Sequence, residues 1–316
     1  MKDLSPIILY VYDRPDHTRR TVEGLLTNPE AADSLLYIFA DGPKPQATDD
    51  VLTRIRQTRT YIHTISGFRQ VIIEESETNR GLAPSVIRGN TLVARKHGRF
   101  ITVEDDIVAT PYFLSYMNRC LERFQDDPRV WSIGSFNDTQ VTTPRDDGPD
   151  VFLMNRPSSW GYATWADRWE KTLFDIPTLQ RMFRDRQLRR NFDRYGGADL
   201  SRTMDNLFEG RNSSWAIRFV FSAFLRDAKA VFPNRSLVQN IGCDGTGTHS
   251  GLKNYQLQLM DREVILPDHV EFDPIRNKQM CRSYSRCPRT PRGMIGYVVR
   301  RIPPLYELCR KMGLAK

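Results

Sequence analysis

The sequence predicts an α/β fold: a mostly parallel sheet flanked by helices, followed by a basic C-terminal tail. Two observations carry that expectation. Short apolar runs alternate with helix-compatible segments through the first hundred residues, and the runs are apolar throughout rather than at every second position. That is how strands covered on both faces read. Charge is also unevenly placed. From Arg276 to Lys316 there are eleven Lys/Arg and one acid, Glu307, whereas the rest of the chain carries 35 basic and 37 acidic groups. The net charge of +8 and the pI of about 9.3 therefore belong to the tail, and the globular part is near neutral.

The elements follow in order. "PIILYVYDR" (6–14) is an apolar run ending in polar residues. "HTRRTVEGLLTNP" then gives helical spacing at Thr21, Val22, Leu25 and Leu26, and Pro29 stops the helix. "LLYIFADGPKP" is a second buried strand, Leu35 to Ala40, ending at Asp41-Gly42-Pro43. Thr48 to Thr64 is helix-compatible, "RQVIIEES" is a third strand, and "NRGLAPSVIRGNTLVARKHG" is a helix with Leu92 and Val93 towards the core. "RFITVEDD" is the fourth strand. After Asp106 come an amphipathic helix with Pro111 near its start, the strand "RVWSIGSFND", a segment with Trp160, Trp165 and Trp169, a charged helical region from Leu179 to Asn212, and the serine-capped helix "SSWAIRFVFSAFLRDA". "AVFPNRSLVQNIGCDGTGTHSG" reads as a strand entering a glycine-rich loop. No internal repeat or low-complexity linker interrupts the series, which predicts one domain over residues 1–270 and a basic amphipathic tail over 271–316.

With 316 residues, 40% of them hydrophobic and 27% charged, the composition is that of a globular chain. No apolar run approaches the roughly 20 residues that span a bilayer. The N-terminus is too polar for a secretory signal and reads as the first strand. The five cysteines, Cys120, Cys243, Cys281, Cys287 and Cys309, form no Cys-x-x-Cys pair. Neither a disulfide framework nor a zinc knuckle is expected, and a reducing cytoplasm suits the chain.

Acids gather where the strands end. Asp13-Arg14, Asp41 and Glu104-Asp105-Asp106 each follow an apolar run, and in parallel sheets ligands bind at the carboxyl ends of the strands. Three adjacent carboxylates repel unless a cation neutralises them. Oxygen-rich sites suit Mg2+ or Mn2+, and an ion held by one or two carboxylates can also hold a diphosphate. The plainer alternatives are an acidic turn favouring the next helix at Glu104–Asp106, a surface residue at Arg14 and a turn former at Asp41. Trp165 and Trp169 suit core packing. Trp160 beside Gly161 suits either packing or a sugar platform. His249 in "GTGTHSG" is a metal ligand, a diphosphate contact or a loop residue, in a glycine-rich setting that permits close approach.

"TVEDDIVATPYFLSYMNRCLERFQDDPRVWSIGSFND" resembles the core of nucleotide-sugar glycosyltransferases with the GT-A (Rossmann-like) fold, and is most similar among them to the N-acetylglucosaminyltransferase I family, as well as to bacterial family-2-type glycosyltransferases of surface-polysaccharide pathways. The resemblance extends to "LYVYDRPDHTRRTVEGLL", "FADG", "NRPSSWGYATWADRW" and "SSWAIRFVFSAF…NIGCDGTGTHSG", roughly residues 5–255. It implies Mn2+ or Mg2+ on Asp106, with Glu104 and Asp105 at the ribose or donor sugar. Asp13 and Arg14 would lie near the nucleotide, Asp41 on its base, and Trp160-Gly161 at the floor where donor and acceptor meet. The implied activity is hexosyl transfer from a nucleotide diphosphate donor, a UDP-sugar, to a hydroxyl of a glycan or lipid-linked acceptor, with inversion.

One position departs from that pattern. The family places an acid, the general base, just before the tryptophan that opens the late helix. Here the stretch reads Asn212-Ser213-Ser214-Trp215, and serine alone is a poor base. Asp244 and Asp205 are the candidate replacements. The departure also keeps open a non-catalytic sugar- or nucleotide-sugar-binding protein of the same fold. A sugar nucleotidyltransferase would carry a glycine-rich phosphate loop after the first strand, and "YDRPDHTRR" lacks the glycines. The tail mixes arginines with Met294, Ile295, Tyr297, Val298 and Val299, which suits the anionic inner face of a membrane. Nothing else in the chain resembles a nucleic-acid fold.

Overall fold

The structure is a computed structural model that describes residues 4–243 and 256–285. Asp244, His249 and the tail beyond Ser285 lie outside the described residues. An eight-stranded sheet organises the rest. It is built from β1 (Ile7–Val11), β2 (Leu35–Ala40), β3 (Gln70–Glu75), β4 (Arg99–Glu104), β6 (Val130–Gly134), β7 (Val151–Met154), β8 (Tyr162–Trp165) and β9 (Lys229–Pro233), in the spatial order β3-β2-β1-β4-β8-β6-β9-β7. A separate pair joins β5 (Ile107–Ala109) to β10 (Val238–Asn240), antiparallel. In the main sheet β3, β2, β1 and β4 are parallel, β8 runs against β4 and β6, β6 and β9 are parallel, and β7 runs against β9. The mostly parallel α/β architecture expected from the sequence is present.

The apolar strands follow from the layers. Ile7, Leu9 and Val11 of β1 enter one core, with Ile38 of β2 and Val103 of β4, while Ile8 and Tyr10 enter the other, with Tyr37 and Phe100. A strand covered on both faces has no polar side to alternate with. Ile7, Ile8 and Leu9 are fully buried, each contributing about 1.5–3 kcal/mol of transfer free energy. β3 is the exception. It is an edge strand and only half-buried.

Helices α1 (Pro15–Leu26) and α4 (Phe113–Arg123) cover the first face, and α3 (Leu82–His97) and α9 (Trp215–Phe224) the second. α2 (Asp49–Ile62) is capped by Thr48, whose hydroxyl accepts from Val51 N. The expected inward face of α3 is corrected at one position: Val93 is buried but Leu92 is 40% exposed, and Val86, Gly89 and Asn90 complete the stripe. The sequence suggested no layer for α5 (Ala166–Glu170), α6 (Ile176–Met182), α7 (Arg186–Gly196) and α8 (Leu200–Phe208). α5 joins the second core through Trp169, and α6, α7 and α8 close over α9 around Phe183, Phe192 and Phe221. Trp165 and Trp169 are core residues.

Residues 271–285 lie against this body. Leu153 N donates to Glu271 O (2.9 Å), Asp273 N donates to Leu153 O (3.0 Å), and helix α10 (Pro274–Ser285) buries Arg276 and Met280. No helix among the described residues is long and apolar enough to cross a membrane.

Candidate functional site

The site is built where β1, β2 and β4 end. β4 delivers Glu104 opposite Tyr10 of β1. The chain then turns through Asp105 and Asp106 into β5. Two hydrogen bonds fix the turn from either side: Thr21 Oγ1 of α1 donates to Asp105 O (2.8 Å), and Ile241 N, just past β10, donates to Asp106 O (2.9 Å). The backbone at Gly242 passes so close to Asp106 that a Cβ there would stand 1.9 Å from Oδ2, so only glycine fits without displacing the carboxylate.

Pro15 opens α1 and Arg14 precedes it. That places the Arg14 guanidinium over the acids, with Nη1 3.0 Å from Asp106 Oδ2 and 3.6 Å from Asp105 Oδ1. All three side chains are largely buried, 13–16% exposed. One guanidinium does not balance three carboxylates. Burial and the charge of Asp106 push the Asp105 carboxyl up to about 8, against the pull of Arg14. Burial also raises Glu104, with Asp106 and Asp105 adding to it, and raises Asp106 in spite of Arg14. Such a cluster is under strain for want of positive charge.

Among the described residues no group of three or more His, Cys, Asp or Glu side chains is arranged to hold a metal ion. The donors fit the sparser arrangement used by Mg2+ and Mn2+, one or two carboxylates with substrate phosphates completing the shell. Asp106 Oδ2 meets Arg14 Nη1 at 3.0 Å and lies against the Gly242 backbone.

The neighbouring acids are committed differently. Asp13 accepts from Arg54 at its side chain (2.8 Å) and its carbonyl (3.1 Å). Asp41, expected on a nucleotide base, accepts four hydrogen bonds from its own surroundings: Gly42 N (2.9 Å) and Arg80 N (2.8 Å) at Oδ1, Asn79 Nδ2 (3.0 Å) and Gly81 N (2.9 Å) at Oδ2. A carboxylate has about four acceptor positions, and these four donors fill them. Asp41 therefore shapes the 79–81 loop.

Gly161, preceded by Trp160, packs against Ile107, the residue that follows Asp106. Gly161 has φ +62°, and a Cβ there would stand 2.5 Å from Ser135 Oγ and 3.4 Å from Ile107 and Val238. Gly161 O accepts from Ser135 N (3.0 Å) and Oγ (2.6 Å). The Trp160 ring meets Phe136 edge-on at 4.6 Å. Both rings line a cavity of about 410 Å³, with Asp138, Arg156, Ser214 and Tyr284 among its other walls. Asp205, a candidate base, does not line it. On α8 it is held by a two-toothed ion pair from Arg189 (2.9 and 2.5 Å). Ser214 caps α9, its hydroxyl accepting from Ile217 N (3.2 Å).

Sequence reasoning missed three participants. Arg54 binds Asp13 from a helix that carried no site signal. Asn79 holds Asp41. Asp138 ends "GSFND", and nothing in that run marks it as a wall of the cavity.

No known protein family and no curated protein matches this sequence. Solved structures do align with it. Among them are a mannosyltransferase from Pyrobaculum calidifontis in complex with GDP-Man and Mn2+ (11% identity, 52% of this chain and 47% of that chain, TM-score 0.33) and S. aureus TarS residues 1–349 (10% identity, 74% and 59%, TM-score 0.38). A UDP-glucose pyrophosphorylase complexed with UDP-glucose also aligns (9% identity, 73% and 90%, TM-score 0.35). The matched part spans about half of the first chain and under two thirds of the second. Likeness at this level carries no argument about this chain's chemistry.

Proposed function

We propose that this protein is a metal-dependent, inverting glycosyltransferase. It takes a sugar from a nucleotide diphosphate donor, a UDP-sugar, and passes it to a hydroxyl of a glycan or lipid-linked acceptor in surface-polysaccharide synthesis. One observation carries the reading. Three carboxylates stand at the carboxyl end of β4 with Arg14 as their paired cation, an arrangement whose charge a divalent ion and its phosphates would complete.

Asp106 is the metal ligand in this reading, with His249 as a second candidate. When bound, the ion would neutralise charge on the departing diphosphate. The chain's own residues do the rest. Arg14 holds Asp106 in place and lies beside the phosphates. Asp105 and Glu104 face the ribose and donor sugar. Asp13 fixes the start of the nucleotide site through Arg54, and Asp41 keeps the 79–81 loop in shape to border it. Trp160 and Gly161 form the floor between donor and acceptor. Residues 1–270 form the transferase domain; of the basic segment 271–316, α10 packs on that domain, and the residues that follow it meet the anionic inner face of the membrane, where a lipid-linked acceptor is found.

The commitment of Ser213-Ser214 to the start of α9 favours one second reading, a nucleotide-sugar-binding protein without turnover. Titration calorimetry with a panel of nucleotides and nucleotide sugars, with and without Mn2+, on wild type and Asp106→Ala tests both. Metal-dependent binding of one nucleotide, lost in Asp106→Ala, is expected. Binding with no release of nucleoside diphosphate would select the second reading, and no binding at all would remove both.

A further inference from the structure

The base missing before Trp215 has a replacement across the cavity. The cavity beside Trp160 is walled by the loop after β6, the loop before β8, α8, the start of α9 and α10. Ser214, at the position where the resemblance implies an acid, lines it. That segment is fully engaged as structure. Ser214 Oγ accepts from Ile217 N (3.2 Å), Ser214 O from Arg218 Nε (3.1 Å) and Ser213 O from Arg218 Nη2 (3.1 Å). Arg218 is itself buried, so the helix entrance is locked by a cation where a base would need to stand.

Among the described residues, Asp138 is the one carboxylate that lines this cavity. Its backbone is rigidly placed: Asp138 O accepts from Val141 N (2.9 Å) and Thr142 N (2.8 Å), and Oδ1 accepts from Gln140 N (3.2 Å). Asn137 beside it is anchored through Nδ2 to Asn234 O (3.0 Å). In the Trp160–Gly161 loop, Trp160 lines the cavity and Gly161 packs against Ile107, the residue after Asp106. A donor sugar over that loop would have the leaving diphosphate on the Asp106 side and an acceptor on the Asp138 side.

We infer that Asp138 is the general base, acting on an acceptor hydroxyl seated in the cavity beside Trp160. This rests on the transfer reading above. As the acceptor oxygen bonds to the anomeric carbon, its proton passes to the Asp138 carboxylate. The bond from that carbon to the diphosphate oxygen breaks, and its electron pair leaves on the diphosphate.

The test uses the full chain with Mn2+ and the nucleotide sugar that binds it in calorimetry. Release of nucleoside diphosphate is followed with water and with p-nitrophenyl glycosides as acceptors, in wild type, Asp138→Asn and Asp138→Ala. Asp138→Asn keeps an acceptor oxygen for Gln140 N, so its fold is retained. Expected is donor affinity within about threefold of wild type and a kcat lower by about 100-fold or more, with formate restoring part of the rate in Asp138→Ala. A kcat for Asp138→Asn within about threefold of wild type would overturn the assignment while leaving the transfer reading intact. So would donor binding without turnover in the wild type, which selects a binding protein. Absence of any nucleotide-sugar binding in the wild type would remove the transfer reading, and this inference with it.

Discussion

Arg14 Nη1 stands 3.0 Å from Asp106 Oδ2 and 3.6 Å from Asp105 Oδ1, one cation facing the acids at the end of β4. Removing it leaves them with less compensation in a largely buried place. Arg14→Met is expected to destabilise the protein by about 1–3 kcal/mol. Millimolar Mn2+ should recover part of that loss, because the ion supplies the missing charge. Thermal melts of the variant with Mn2+ and with EDTA check this. An equal loss in both would mean that the acids do not take up the ion.

Asp105 gives the opposite result. Burial and Asp106 hold its carboxyl up at about 8, against about 4 in an unfolded chain. Between those values the folded state binds a proton that the unfolded state has lost, so stability falls as pH rises through that window. Asp105→Asn removes this loss. In EDTA the variant should melt above wild type at pH 9, with the gap closing towards pH 5. A constant or reversed gap would show that Asp105 is not under charge stress.

Much of this was legible in the residues. The β1, β2 and β4 runs are apolar because alternate side chains feed two cores, and that pattern survives in sequence. β5 and β10 span three residues each, too short for any period to show. Leu92 beside Val93 illustrates another limit: an apolar type marks a helix face only to within a residue, and the turn of α3 puts Leu92 outside. The acid triplet was visible because its three charges are contiguous. The surroundings of Asp41 and Asp138 were not, because they depend on what distant parts of the chain the side chain meets, the backbone of Arg80 and Gly81 for one and the cavity wall for the other.

Gly161 should tolerate no side chain. Its φ of +62° is unfavourable for other residues by about 1–2 kcal/mol, and a Cβ would stand 2.5 Å from Ser135 Oγ, an overpacking that adds about 1–3 kcal/mol. Denaturant unfolding of Gly161→Ala should show a loss of about 2–5 kcal/mol. A loss below 1 kcal/mol would mean that the loop relaxes around Ser135 and is softer than its hydrogen bonds suggest.

Asp41→Ala should release the 79–81 loop, since three backbone N–H groups and the Asn79 amide lose their acceptor. Hydrogen exchange at Arg80 and Gly81 is expected to quicken by tenfold or more, while β2 itself stays protected. Unchanged exchange at those amides would show that the loop is held by other means.

The way residues 271–273 join β7 has a consequence for how the molecule behaves in company. A sheet has two rims, and each exposes backbone groups that can recruit a strand from another copy. β3, at one rim, carries Glu74 and Glu75 with Arg88, Arg80, Arg59 and His63 against them, a charged border that discourages docking. β7, at the other, is wholly apolar, "VFLM", and is shielded by the chain's own later segment through Leu153. A chain shortened after Val270 would lose that shield. Light scattering should find it self-associating at concentrations where the full chain stays monodisperse.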